Sequence, residues 1–191
     1  MTTQVAAILP EQARGKPLEF WFQDEARVGQ KGTLTRQWAR RGTRPRLKRD
    51  QRHTAAYLFG AVCPARDVGA ALVLPTVNSE AMTLHLAEIA KAVTPHAHAV
   101  VLIDGAGWHW EGGTLRVPDN LSLLRLPPYS PELNAQENIW QFLRHNFLAG
   151  RVFDTYDAIL DACCTAWNAL TADPGRIQSI ASRDWLQCVC S

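Results

Sequence analysis

The chain has 191 residues, 47% of them hydrophobic and 20% charged, and its 20 Lys and Arg against 18 Asp and Glu leave a formal net charge of +2. This length buries one real core and is short for two large domains, and so small a net charge announces no nucleic-acid binder by itself, which leaves the placement of charge as the informative quantity. Cys63, Cys163, Cys164, Cys188 and Cys190 form neither a paired framework nor a CxxC zinc motif, and no apolar run or leader suits export or a membrane span, so a cytoplasmic protein with reduced thiols is expected.

Residues 1–17 carry Pro10, Gly15 and Pro17 among polar residues and read as a lead-in or linker stump, with one domain expected over 18–191. Glu19 to Gln23 is aromatic-rich and predicts a short buried strand running into Asp24. Further strands are predicted over Thr33 to Ala39, Thr54 to Val62 and Gly69 to Leu74, with breaks at Arg40 to His53 and Pro64 to Asp67. After Asn78 the period changes: Ser79 suits an N-cap, and Met82, Leu86, Ile89 and Val93 fall on one helical stripe that Pro95 ends.

Ala99 to Ile103 is a non-alternating aliphatic run, the pattern of a central strand covered on both faces, and it stops at Asp104. Asn120 to Leu126 offers another strand. Ser130 and Pro131 then predict a helix start, serine as cap and proline at the first position, with the helix running to about Phe147. A last helix is expected from Asp154 to about Leu170, its stripe being Ile159, Cys163, Trp167 and Leu170. Antiparallel strands followed by helix, strand, strand, helix, helix predict an α/β fold with a mixed sheet and helices on its faces.

Three acids stand out. Asp24 and Asp104 each end a strand, and Glu137 lies on a helix between Leu133 and Trp140, four before and three after it, hence on a partly buried face. Singly, each has an ordinary reading as a turn former or a solvated helix residue. Jointly they would converge if the strand ending at Asp24 neighbours the one ending at Asp104 and the later helix covers that edge. Two unit charges about 5 Å apart at an effective dielectric of about 20 repel by roughly 3 kcal/mol, so such a trio calls for a cation. Oxygen-only ligands favour Mg2+ or Mn2+, and two such ions would suit in-line phosphoryl displacement.

Three stretches carry a family resemblance: WFQDEARVG at 21–29, LIDGAGWH at 102–109 and LPPYSPELNAQENIW at 126–140. They resemble bacterial insertion-sequence transposases of the mariner-like superfamily, whose DDE domain has the ribonuclease-H-like fold. The resemblance, which runs from about Leu18 to Trp185, implies a five-stranded mixed sheet flanked by helices. It also implies a metal-binding catalytic triad of Asp24, Asp104 and Glu137, and cleavage and strand transfer on DNA. Thirty-two residues separate Asp104 from Glu137, close to the family spacing, and Ala135 stands where many relatives have proline. Relatives carry an N-terminal helix-turn-helix region that recognises transposon ends, and nothing before Leu18 resembles one. The expectation is therefore a catalytic half, a homodimer when active; a split gene with a separately encoded helix-turn-helix partner, a truncated relic and an isolated piece of a longer protein all stay open. The alternatives are a truncated relic that binds DNA or a partner without cutting, and a host nuclease of the same fold.

Residues 40–52 hold seven basic residues, Arg40, Arg41, Arg44, Arg46, Lys48, Arg49 and Arg52, against one acid, and suit DNA phosphates or a solvated hairpin loop. His109, five residues beyond Asp104, is either an auxiliary to the reaction or a structural histidine. Asn134, three residues before Glu137, would position a phosphate or cap the backbone. Glu25 points away from Asp24 if the strand continues. Gly105 and Gly107 lack the rest of a nucleotide-loop pattern.

Overall fold

The computed structural model describes residues 2–30, 40–43, 52–105, 114–128, 130 and 133–183. Its elements are α1 (Thr2–Ile8), β1 (Leu18–Gly29), β2 (Ala55–Cys63), β3 (Val68–Leu74), α2 (Ser79–Ala92), β4 (His98–Ile103), β5 (Leu121–Arg125), α3 (Gln136–Leu143), α4 (Tyr156–Thr171) and α5 (Arg176–Ala181). The strands form one five-stranded sheet in the order β3-β2-β1-β4-β5. β1, β2 and β3 run antiparallel, while β4 and β5 run parallel to β1, so the expected mixed sheet is present.

Side-chain alternation decides what each face of the sheet holds. Phe20, Phe22 and Val28 of β1 join Leu58 of β2 and Val100 and Leu102 of β4 in a core closed by α1, α3, α4 and α5. Trp21, with Ala99, Val101 and Ile103, faces the other way onto Met82, Leu86 and Ile89 of α2. Every residue of β4 is buried, as a strand covered on both faces must be. At roughly 1.5–3 kcal/mol for each large apolar side chain removed from water, these two layers supply the main drive to fold.

Several boundaries differ from expectation. β1 does not stop before Asp24 but continues to Gly29, because β2 pairs with it from Phe22↔Val62 to Gly29↔Ala55. Asn78, not Ser79, caps α2, its Oδ1 accepting from Ala81 N at 2.8 Å. The helix predicted from Ser130 begins at Gln136: the Ser130 hydroxyl donates to Pro128 O at 3.4 Å, and Leu133 N donates to Ser130 O at 3.1 Å. A π-helical turn at Arg144–Leu148 follows α3. Thr155 caps α4 through Ala158 N at 3.1 Å. Before Leu18, where a lead-in was expected, α1 sends Val5 into the core at 4% exposure. The strand expected over residues 33–39 lies outside the described residues. No helix among the described residues is long and apolar enough to cross a membrane.

Candidate active site

β1 and β4 pair in parallel from Leu18↔His98 to Phe22↔Leu102. Asp24 and Asp104 therefore stand two residues beyond the same pair, and parity puts both on the face of Phe22 and Leu102, the face covered by α3. The position follows the general preference of open α/β sheets for sites outside the carboxyl ends of adjacent strands, where the chain departs in opposite directions. The β4 chain ends there while β1 continues beside β2 alone, which opens a cleft.

α3 supplies the third acid. Asp24, Asp104 and Glu137 line one cleft of about 380 Å³, together with Gly105, Leu126, Pro127, Pro128, Ser130 and Asn134. The wall made by Leu126, Pro127, Pro128 and Ser130 follows β5: Leu126 N donates to Ile103 O at 2.8 Å, and Arg125 Nη2 donates to Gly105 O at 2.9 Å. Two successive prolines then restrict the turn that leads towards α3.

Two side chains tie α3 to the acid-bearing strand. Asn134, 4% exposed, donates from Nδ2 to Gln23 O at 3.0 Å and accepts Gln136 N on Oδ1 at 3.1 Å, so of its two anticipated uses the backbone one is present. Trp140 donates from Nε1 to Asp24 Oδ2 at 2.9 Å. Close approach needs space on the sheet, and Gly60, the cross-strand partner of Asp24, provides it. A Cβ there would lie 2.6 Å from Gln136 Nε2 and Trp140 Cη2 and 2.9 Å from Trp167 Cζ3, so only glycine admits this helix without displacement.

The electrostatics single out Asp24. Burial pushes its carboxyl up to about 7, and the neighbouring charges of Glu25 and Glu137 push the same way, against hydrogen bonds from the Glu25 backbone and the Trp140 indole. Such a group holds its proton near neutrality unless a positive charge arrives. The donor set is oxygen-only, the type hard divalent cations take. Among the described residues no group of three or more His, Cys, Asp and Glu side chains is set closely enough to hold a metal ion ready-made. The three acids share a cleft, and a cation would have to draw them in.

Other candidate residues fall elsewhere. Glu25 accepts Gln23 Nε2 at 2.7 Å, consistent with alternation away from Asp24. Arg40 and Arg41 are exposed. Arg52 is engaged with the loop before α4, donating to Phe153 O at 2.9 Å and Asp154 O at 3.3 Å, with its guanidinium 3.5 Å from Asp154 Oδ1. Arg44, Arg46, Lys48, Arg49 and His109 lie outside the described residues. Sequence reasoning placed Trp140 only as a neighbour of Glu137 and missed its bond to Asp24. The one available signal was a tryptophan, a side chain whose buried N–H requires an acceptor, one helical turn from an acid.

A mixed sheet of this strand order, flanked by helices and bearing one acid within β1, one just past the adjacent parallel β4 and one on a covering helix, defines a ribonuclease-H-like domain. The chain belongs to the DDE superfamily endonuclease family, whose model matches residues 19–160. It is 55% identical over 130 residues to the uncharacterized protein y4pE/y4sA of Sinorhizobium fredii (strain NBRC 101917 / NGR234), a match that covers 68% of this chain and 96% of that protein. Its fold is that of the Mos1 strand transfer complex, at a TM-score of 0.60 and 19% identity over 90% of this chain. It is likewise that of the Mos1 mariner paired end complex with Mn, at 0.62 and 18% over 90% of this chain. The chain spans about half the length of those solved chains, 53% and 54% respectively.

Proposed function

We propose that this domain cuts DNA and joins DNA strands by metal-dependent phosphoryl transfer during transposition, with Asp24, Asp104 and Glu137 as its catalytic acids. The observation that carries the reading is one cleft lined by an acid from β1, one just past β4 and one from α3, in which burial, with the like charges of Glu25 and Glu137, pushes the Asp24 carboxyl up to about 7. Asp24, Asp104 and Glu137 would hold Mg2+ or Mn2+, and a pair of such ions would supply activation of the attacking oxygen and stabilisation of the leaving oxygen of an in-line displacement. The Mos1 paired end complex with Mn supports a divalent cation for this fold.

The rest of the work falls to the chain. Asn134 fixes the start of α3 against β1, which sets the separation of Glu137 from Asp24. Leu126, Pro127, Pro128 and Ser130 wall the cleft on the β5 side. Arg40 and Arg41, with the basic residues up to Arg52, would neutralise backbone phosphates and make binding fall with salt. Concerted work on two transposon ends would take two copies of the domain.

Incubation of the purified chain with supercoiled plasmid and Mg2+ or Mn2+ tests the reading. Nicking is expected, and Asp24→Asn, Asp104→Asn and Glu137→Gln should each lower it by a factor on the order of 100 or more. Unchanged nicking in all three variants rejects it. A labelled 3′-end joining assay then separates strand transfer from simple hydrolysis.

A further inference from the structure

We infer that Trp140 is a positioning residue for Asp24: its indole N–H, 2.9 Å from Oδ2, holds the carboxylate in the orientation in which it serves the cleft. The inference rests on the reading of that cleft as a cation site and deepens it. Trp140 lies three residues after Glu137, so one turn of α3 carries both an acid and the group that orients another acid from a distant strand.

The surroundings are arranged around this contact. Trp140 is 2% exposed and leans on Trp167, with ring centroids 6.3 Å apart at 49°. Opposite Asp24 on β2 the chain has Gly60, and a Cβ there would stand 2.6 Å from the Trp140 ring. The indole is thus seated by packing on one side and admitted by a glycine on the other, and its N–H points where the packing sends it. Indole is a donor only, so it cannot turn to offer an acceptor, and a buried indole N–H needs a partner. A carboxylate free to swing about its side-chain torsions would lose rotamer freedom on taking up a cation, whereas one already held does not.

A packing role alone makes different predictions from a positioning role. Phenylalanine keeps much of the ring and removes the donor. In the full chain labelled with 15N at its seven tryptophans, the Trp140 indole resonance is assigned by through-bond experiments, so this arm does not depend on a Trp140 variant that folds. That resonance should move in Asp24→Asn, and should move saturably with Mg2+ in the wild-type chain but not in Asp24→Asn. By thermal shift at pH 8, Trp140→Phe should weaken Mg2+ binding by roughly tenfold, the scale on which hydrogen-bond partners of ligating carboxylates act, and should add nothing in an Asp24→Asn background. An indole resonance indifferent to both Asp24→Asn and Mg2+, or a folded Trp140→Phe with wild-type Mg2+ affinity, overturns the inference. If Asp24→Asn, Asp104→Asn and Glu137→Gln all bind Mg2+ as the wild-type chain does, the inference falls together with the cation reading. Loss of Mg2+ in those three with retention in Trp140→Phe removes the positioning role alone.

Discussion

Two of the carboxylates on β1, Glu19 and Asp24, stand five residues apart and live in opposite circumstances. Glu19, 7% exposed, faces the α2 side of the sheet and accepts from Thr94 N, Trp21 Nε1 and Arg66 Nη1, each at 3.0 Å. Burial pushes its carboxyl up, yet the hydrogen bonds more than offset this and leave it below the ordinary value. Asp24 faces the α3 side with burial and two like charges against it, and is pushed up to about 7. One strand therefore holds a carboxylate whose charge the fold has satisfied and another whose charge it has left wanting. The first locks the base of the sheet; the second is chemistry in reserve.

Removing the satisfied partner should have the largest effect. Glu19→Ala leaves the Arg66 guanidinium, the Trp21 indole and the Thr94 N–H without their acceptor, and should cost about 3–5 kcal/mol in urea unfolding. A loss below 1 kcal/mol would mean that water reaches this network and that the contrast with Asp24 is overstated. Asp24→Asn should act in the opposite sense. The folded carboxyl titrates near 7 against an ordinary 3.8, so the native state holds the proton more tightly, and stability falls as pH rises from about 4 to about 7, with the whole cost present above that. At pH 8 the variant should be more stable than the wild-type chain by up to about 4 kcal/mol, with the difference vanishing near pH 4. Parallel stability profiles of the two proteins across that window would refute the account of Asp24.

The smallest effect sharpens the comparison most. At pH 8, Mg2+ at ten times its dissociation constant should stabilise the wild-type chain by about 1.4 kcal/mol, seen as a rise in Tm. The gain should shrink towards pH 5 as Asp24 takes up its proton, and should be absent in Asp24→Asn. An equal gain in both proteins would place the ion elsewhere.

Much of this was legible in the residues. The aliphatic run to Ile103 announced a central strand, the stripe of Met82, Leu86 and Ile89 announced α2, and an acid after each of two apolar runs, with the motif around Glu137, named the three acids that line the cleft. What escaped was set by partners far away in the chain. The stretch after Gln23 looks too polar for a strand, and only the ladder with β2 makes it one. Ser130 has the chemistry of a cap but spends its hydroxyl on Pro128, while Asn134 holds the first turn of α3. The bond from Trp140 to Asp24 crosses 116 positions, and no local pattern encodes it. Glycine 60 likewise has no signature until the helix that lies over it is known.

The bonds from Asn134 to Gln23 and from Trp140 to Asp24 make a mechanical unit of the two pieces they join. Sliding α3 along β1, or lifting it away, breaks both at once, at roughly 1 kcal/mol or more for each. Any adjustment of the cleft to an incoming load that spares them moves strand and helix together, as one jaw.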